Sequence, residues 1–223
     1  MGLKESGLRA SLRSVSTEVV AIPDSVVHRW PDATGTDTIG SADLSINGAT
    51  TATGSQYTEG ESLEYDGVDD ISSTTMGSAY EPVSLVCWTT PSVDGGSQND
   101  FAKVMEAGDQ SGSAYIQVGS NGNWYFGIND GDNRGEFDSG VSVVSGTTYQ
   151  LALTTDGSTV TGYVDAVDEG SSSSGSLGAS SDLGIGSRID NSDRYAGVVD
   201  EPMVADGVLT QPEIQSLDDS YPR

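Results

Sequence analysis

Large apolar residues along this chain recur at alternate positions over short stretches, and Gly, Asn or Asp breaks each stretch. In Tyr149-Gln150-Leu151-Ala152-Leu153-Thr154 the alternation predicts a strand with Tyr149, Leu151 and Leu153 facing a core. The same reading predicts strands over 42–47, 62–68, 83–90, 100–105, 114–118, 123–128, 148–154, 159–165, 182–186 and 197–204. Asn121-Gly122 and Asp156-Gly157 supply the positive φ of tight hairpins, so the strands around them are antiparallel neighbours. Trp124, Tyr125 and Phe126 are consecutive, which sets Tyr125 on the face opposite the other two. One helix is predicted, at the end: Thr210-Gln211-Pro212-Glu213 is a capping box, followed by Ile214 and Leu217 on one face. The serine-rich stretch 169–181 reads as a surface loop.

Many short strands in 223 residues with 29 Gly describe one all-β domain, since sandwiches of this length form a single core. Charge narrows the setting. With 34 acidic against 9 basic residues the chain carries −25, and lysine occurs only at Lys4 and Lys103. Such a surface repels nucleic acid and anionic membrane. Molar salt cuts the screening length to about 3 Å, which relieves the repulsion among the carboxylates and points to a salt-adapted protein.

Residues 1–29 differ from the rest: Lys4, Arg9, Arg13 and Arg29 stand against Glu5, Glu18 and Asp24. Leu3, Leu8 and Leu12 fall near helical spacing there, so residues 1–25 read as an arm that docks into an assembly, ahead of a domain over 26–223. No apolar core of a secretory signal follows the basic residues, and no run is long enough for membrane insertion.

Candidate chemistry is sparse. Cys87 lies in a strand, where a thiol is a small buried hydrophobe, and His28 lacks the partners of a catalytic base in the sequence around it. Asn129-Asp130-Gly131-Asp132-Asn133 gathers oxygen donors in one loop, so Asp130, Asp132 and Asn133 are candidate ligands for calcium, although Arg134 breaks the EF-hand spacing. Sugar recognition needs an exposed aromatic beside hydrogen-bonding side chains, which makes Tyr125, Asn123 and Gln117 the candidate ligand-binding residues.

Several strings, in order, resemble the laminin-G-like branch of the concanavalin A-like lectin/glucanase superfamily. They are Glu61-Ser62-Leu63-Glu64-Tyr65-Asp66-Gly67-Val68-Asp69-Asp70-Ile71, Val83-Ser84-Leu85-Val86-Cys87-Trp88, the pair 149–157 and 161–165, Leu183-Gly184-Ile185-Gly186, Tyr195-Ala196-Gly197-Val198-Val199-Asp200-Glu201 and Leu209-Thr210-Gln211-Pro212-Glu213-Ile214. The turn Asp165-Ala166 departs from the family's Asp-Gly. The resemblance implies an antiparallel jelly-roll sandwich with a ligand groove on one sheet or a site on its rim, binding glycans or proteins, with glycosidases in a few branches. Retaining glucanases of this fold carry Glu-x-Asp-x-x-Glu; the string Glu64-Tyr65-Asp66-Gly67-Val68-Asp69 ends in Asp and contains a turn, so no enzyme is expected.

Together these readings describe a non-catalytic surface module, a virion protein of a virus infecting a halophilic archaeon: a capsid turret, decoration or tail-fibre component. Its expected partners are other virion proteins through residues 1–25, giving an oligomer in the assembly, and host glycans or envelope glycoprotein. The alternatives are a carbohydrate-binding or adhesion domain of a haloarchaeal cell surface and, behind it, a glycoside hydrolase.

Overall fold

The computed structural model describes residues 21–52, 61–81, 83–109, 112–173, 177 and 180–221. Most of the proposed arm, residues 1–20, lies outside the described residues. In chain order the strands are β1 (Val26–Arg29), β2 (Ser45–Asn47), β3 (Thr50–Ala52), β4 (Ser62–Asp66), β5 (Ile71–Thr75), β6 (Val83–Pro91), β7 (Lys103–Asp109), β8 (Gly112–Val118), β9 (Asn123–Asn129), β10 (Arg134–Ser142), β11 (Tyr149–Thr155), β12 (Thr159–Val164), β13 (Val167–Ser173), β14 (Asp182–Ile185) and β15 (Ala196–Asp206), followed by helix α1 (Gln211–Ser220).

Two antiparallel sheets form the sandwich. One runs β13-β12-β11-β6-β15-β4-β3, with β1 added on β15; the other runs β10-β9-β8-β7-β14-β5-β2. Neighbours distant in sequence, such as β6 between β11 and β15, make this a jelly roll and not a meander. Between the sheets, Leu85, Cys87, Leu151 and Leu153 from one side meet Trp124, Phe126, Ile128 and Ile185 from the other, all fully buried.

The centre of the eight-stranded sheet is buried on both faces. Its outward Val86, Trp88, Ala152 and Met203 form a second core with Ile214 and Leu217 of α1. Burying Ile214 and Leu217 contributes roughly 1.5–3 kcal/mol each. The capping box forms as the sequence predicts: the Thr210 amide donates to Glu213 Oε2 at 2.7 Å. Ile22 packs against this second core and the Asp206 amide donates to the Ser25 carbonyl at 2.9 Å, so chain before residue 26 already belongs to the sandwich.

Several expectations need correction. Residues 167–173, assigned by composition in part to a loop, form edge strand β13, because an edge strand with both faces wet needs no apolar alternation. No strand is predicted over 134–142, where edge strand β10 forms, for the same reason. The strand predicted over 100–105 starts later, at Lys103, because residues 99–102 form a turn closed by the Ala102 amide on the Asn99 carbonyl at 3.1 Å. At the departure from the family's Asp-Gly, Asp165 and Ala166 adopt φ of +54° and +60°, the left-handed pair a tight hairpin demands. That conformation costs Ala166 about 1–2 kcal/mol. Its buried methyl recovers about 0.8 kcal/mol in the second core, so the turn keeps its shape without glycine.

Candidate functional site

The outer face of the seven-stranded sheet carries the chemistry. Inward residues of β8 and β9 fill the core, so the alternate ones, Ser113, Tyr115 and Gln117 on β8 and Asn123, Tyr125, Gly127 and Asn129 on β9, face outward. Register aligns them in rows: Glu106 of β7, Tyr115, Gly127 and Glu136 of β10 form one, and Lys103, Gln117, Tyr125 and Asp138 the next. Gly127 has a reason to lack a side chain, since a Cβ there would come within 2.5 Å of the Tyr115 ring.

A pocket of about 300 Å³ opens on this face. Its floor holds Lys103 and Glu106, 4% and 1% exposed, with Ser113 and Tyr115; Phe101, Arg134, Arg188 and Asp193 rise around them. Lys103 Nζ donates to Gln117 Oε1 and lies 3.7 Å from the centroid of the Tyr115 ring. Glu106 Oε1 accepts from Ser113 Oγ at 3.0 Å. Glu136 Oε2 accepts from Tyr115 OH at 3.0 Å and Gln117 Nε2 at 3.1 Å, and pairs with Arg134 at 2.9 Å. Arg134 Nε in turn donates to Tyr115 OH at 2.8 Å.

Electrostatics mark this cluster as costly. Burial pulls the Lys103 ammonium down to about 8 despite the nearby Glu106. Burial likewise pushes the Glu106 carboxyl up, against the pull of Lys103, Ser113 and Arg188. Two polar atoms are left without hydrogen bonds: Glu106 Oε2 and Arg188 Nε, both buried, face each other across 3.9 Å. A ligand hydroxyl enters between them only if the 3.9 Å gap widens, and would then donate to the first and accept from the second; leaving such groups unmade costs about 1–3 kcal/mol each. Among the described residues the cations are Arg29, Lys103, Arg134, Arg188 and Arg194, and three of these five line this one pocket.

Phe101 is held in an unusual backbone. It occupies the third position of the 99–102 turn with φ of +64°, where glycine or asparagine is the usual residue. For a bulky side chain this costs about 1–2 kcal/mol. The residue is 37% exposed on the pocket rim, and the Arg134 guanidinium carbon lies 5.4 Å from the ring centroid.

The residues singled out in the sequence take different places. Gln117 and Tyr125 are directly paired across β8 and β9, and Asn123 lies one outward position along β9. Asn123 Nδ2 donates to Asp138 at 3.0 Å, forming a polar ledge with Tyr125 beside the pocket, whereas Gln117 is fully buried beneath it and held by Lys103 and Glu136. Asp130, Asp132 and Asn133 stay together in the β9–β10 hairpin, where Asp130 Oδ1 accepts the amides of Asp132 at 3.0 Å and Asn133 at 2.6 Å. These oxygens build the turn. Among the described residues, Asp66, Asp69 and Asp70 form a group of three carboxylates close enough to share a cation, with ligand atoms within 4.8 Å of one another. Glu64 and Asp66 are exposed on the eight-stranded sheet, away from the pocket.

His28 is a buried fastener: Nδ1 donates to Asp37 Oδ2 at 2.6 Å and the ring stacks on Trp30. A groove of about 400 Å³ along α1, lined by Pro212, Gln215, Ser216, Asp219 and Ser220, offers neither aromatic nor buried charge. The reading from sequence missed Lys103, Glu106, Tyr115, Arg134 and Arg188. The available signal was scarcity, since a lone lysine within the acidic domain marks a place where a cation is required.

Several solved structures share this shape at low sequence identity. Domain 4 of AbnA, an extracellular arabinanase from Geobacillus stearothermophilus in complex with arabinotriose, superposes with a TM-score of 0.63 at 18% identity, covering 87% of this chain and 98% of that one. The receptor-binding domain of botulinum neurotoxin mosaic serotype C/D gives 0.71 at 14% identity, covering 89% and 51%. The serotype D ligand-binding domain in complex with N-acetylneuraminic acid gives 0.68 at 16%, covering 88% and 51%. This chain thus spans about half the length of the toxin chains. No curated protein sequence matches it. Residues 63–215 match the Laminin_G_3 family model, and with that match over most of a two-sheet jelly roll, the chain belongs to the concanavalin A-like lectin/glucanase superfamily.

Proposed function

We propose that this domain is a non-catalytic glycan-binding module whose site is the pocket over Lys103 and Glu106. The observation that carries the reading is the unspent pair of Glu106 Oε2 and Arg188 Nε, buried on an otherwise well-bonded polar floor. Buried ion clusters are a poor way to stabilise a fold, so such a cluster at an open pocket is better explained by a ligand. Support comes from fold neighbours that hold arabinotriose and N-acetylneuraminic acid. The non-catalytic part rests on Glu136 Oε2, which is already held by Tyr115, Gln117 and Arg134 as a fixed acceptor.

The test is binding of the full chain, in molar KCl, to an array of neutral and acidic oligosaccharides. Saturable binding is expected, and Glu106→Gln should weaken it about 10- to 100-fold, the worth of a charge-assisted hydrogen bond. Absence of binding to any glycan, or equal binding by Glu106→Gln, would sink the proposal. Release of shorter sugars would make the domain an enzyme.

The setting we propose is the surface of a virion, or of a cell, in concentrated salt. The −25 charge supports it. Raising KCl from 0.1 to 3 M is expected to raise the melting temperature, because screening relieves the carboxylate repulsion. Deleting residues 1–20, which spares the packed Ile22 and Ser25, is expected to abolish incorporation into particles without lowering that temperature. A melting temperature that falls with salt, or normal incorporation of the truncated chain, would remove this setting.

A further inference from the structure

We infer that Phe101 is the platform on which the pocket stacks its ligand, a sugar ring with one apolar C–H face, and that its strained backbone serves to hold it there. The inference rests on the glycan reading and deepens it.

Nothing in the fold requires an aromatic residue at this position. Phe101 belongs to neither core, and more than a third of it is exposed, so burial does little to offset a left-handed backbone. Glycine would satisfy the turn without strain, and asparagine nearly so. The turn is prevented from relaxing. Asn99 Nδ2 donates to the carbonyls of Gly67 at 2.9 Å and Arg194 at 2.8 Å, and on the other side Ala102 is fully buried and the Lys103 amide donates to the Asp193 carbonyl at 2.7 Å. Strain held in place at a pocket rim, in a side chain the core does not use, is the pattern of a residue kept for binding.

Phe101 also offers what the other pocket aromatic lacks. Tyr115 is 2% exposed and carries the Lys103 ammonium over its ring face. The Phe101 ring is covered by the Arg134 guanidinium, on a side chain 46% exposed. A cation–π contact at so open a site is weak and exchangeable. A sugar ring can take that place once the Arg134 guanidinium swings aside from Tyr115 and Glu136, laying its C–H face on Phe101 and turning its hydroxyls to Glu106 Oε2 and Arg188 Nε.

Two variants of the full chain test this in molar KCl, with the array oligosaccharide bound most tightly by the wild type as probe. Phe101→Asn is expected to keep or raise the melting temperature, by about 2 °C, because asparagine tolerates positive φ. The same variant should weaken binding at least tenfold. Phe101→Trp, which restores a ring, should bind within about threefold of wild type. Undiminished binding by Phe101→Asn overturns the platform and leaves the glycan reading standing. A lower melting temperature for that variant overturns it too, by showing that the ring serves the fold. Failure of the wild type to bind any array glycan removes the glycan reading and this inference with it.

Discussion

Replacing Lys103 by methionine is expected to abolish glycan binding and to make the domain progressively less stable relative to the wild type between pH 4 and pH 7, because the buried Glu106 carboxyl loses its counter-charge. Methionine nearly matches the length of the lysine stem, so little packing is lost; what disappears is the ammonium. Gln117 Oε1 loses its donor, the Tyr115 face its cation, and Glu106 its principal counter-charge. Burial already pushes the Glu106 carboxyl up, and without Lys103 it rises further. An acid whose folded pKa exceeds its unfolded value loses stability as pH rises from the unfolded value through the folded one. The deficit of Lys103→Met should therefore be small near pH 4 and grow toward pH 7.

In the wild type the lysine titrates the other way. Its folded pKa of about 8 lies below its ordinary value of 10.5, so the folded state holds its proton less tightly than the unfolded chain. The penalty of the buried charge is present below about 8 and is relieved as pH rises from there toward 10.5. Denaturant midpoints at pH 4, 7 and 9, in constant molar salt, check both statements. A variant deficit that stays constant between pH 4 and 7 would mean that Lys103 and Glu106 are not coupled.

How much of this was legible in the sequence follows from what each feature depends on. Core strands such as β11 and the α1 cap were readable because periodicity and capping are local. The face of Tyr125 was readable for the same reason. The pocket was not, because its outward residues alternate with apolar ones and read as an ordinary wet face. What turns that face into a site is register: Glu106 aligned with Tyr115, Lys103 with Gln117, and Arg188 brought in from a loop more than eighty positions further on. None of these pairings is written in any one segment. Strand β10 was missed because edge strands are released from the apolar pattern, and the oxygen-rich string 129–133 carries two readings because turn formation and cation binding use the same residue types.

Asp37→Ala is expected to destabilise the domain by about 3–5 kcal/mol at neutral pH, the range for removing a buried, multiply bonded charge. One carboxylate with a fully buried side chain organises the whole 28–42 segment. Its Oδ1 accepts the amides of Arg29 and Ile39 at 3.2 Å and Gly40 at 2.9 Å; Oδ2 accepts the Ala42 amide at 3.0 Å and His28 Nδ1 at 2.6 Å. The fit is close enough that a Cβ on Gly40 would lie 2.4 Å from His28 Nδ1. Truncation strands five donors at once, and the segment that seats Trp30 through its bond to the Ala42 carbonyl at 2.9 Å loses its frame. Asp37→Asn should fail to rescue it, because one oxygen would become an NH₂ group facing N–H donors. Burial alone would raise the Asp37 pKa, but the bonds from His28 and the amides of Ala42, Gly40 and Arg29 outweigh it and hold the carboxyl below its usual value. The stabilisation is thus fully present above the unfolded value, about 4, and is lost as pH falls through the lowered folded one. Denaturant midpoints of wild type and Asp37→Ala should differ most at pH 7 and draw closer as pH falls below about 4. A gap that is as wide at pH 2.5 as at pH 7 would show that the ionised carboxylate is not what holds this segment in place.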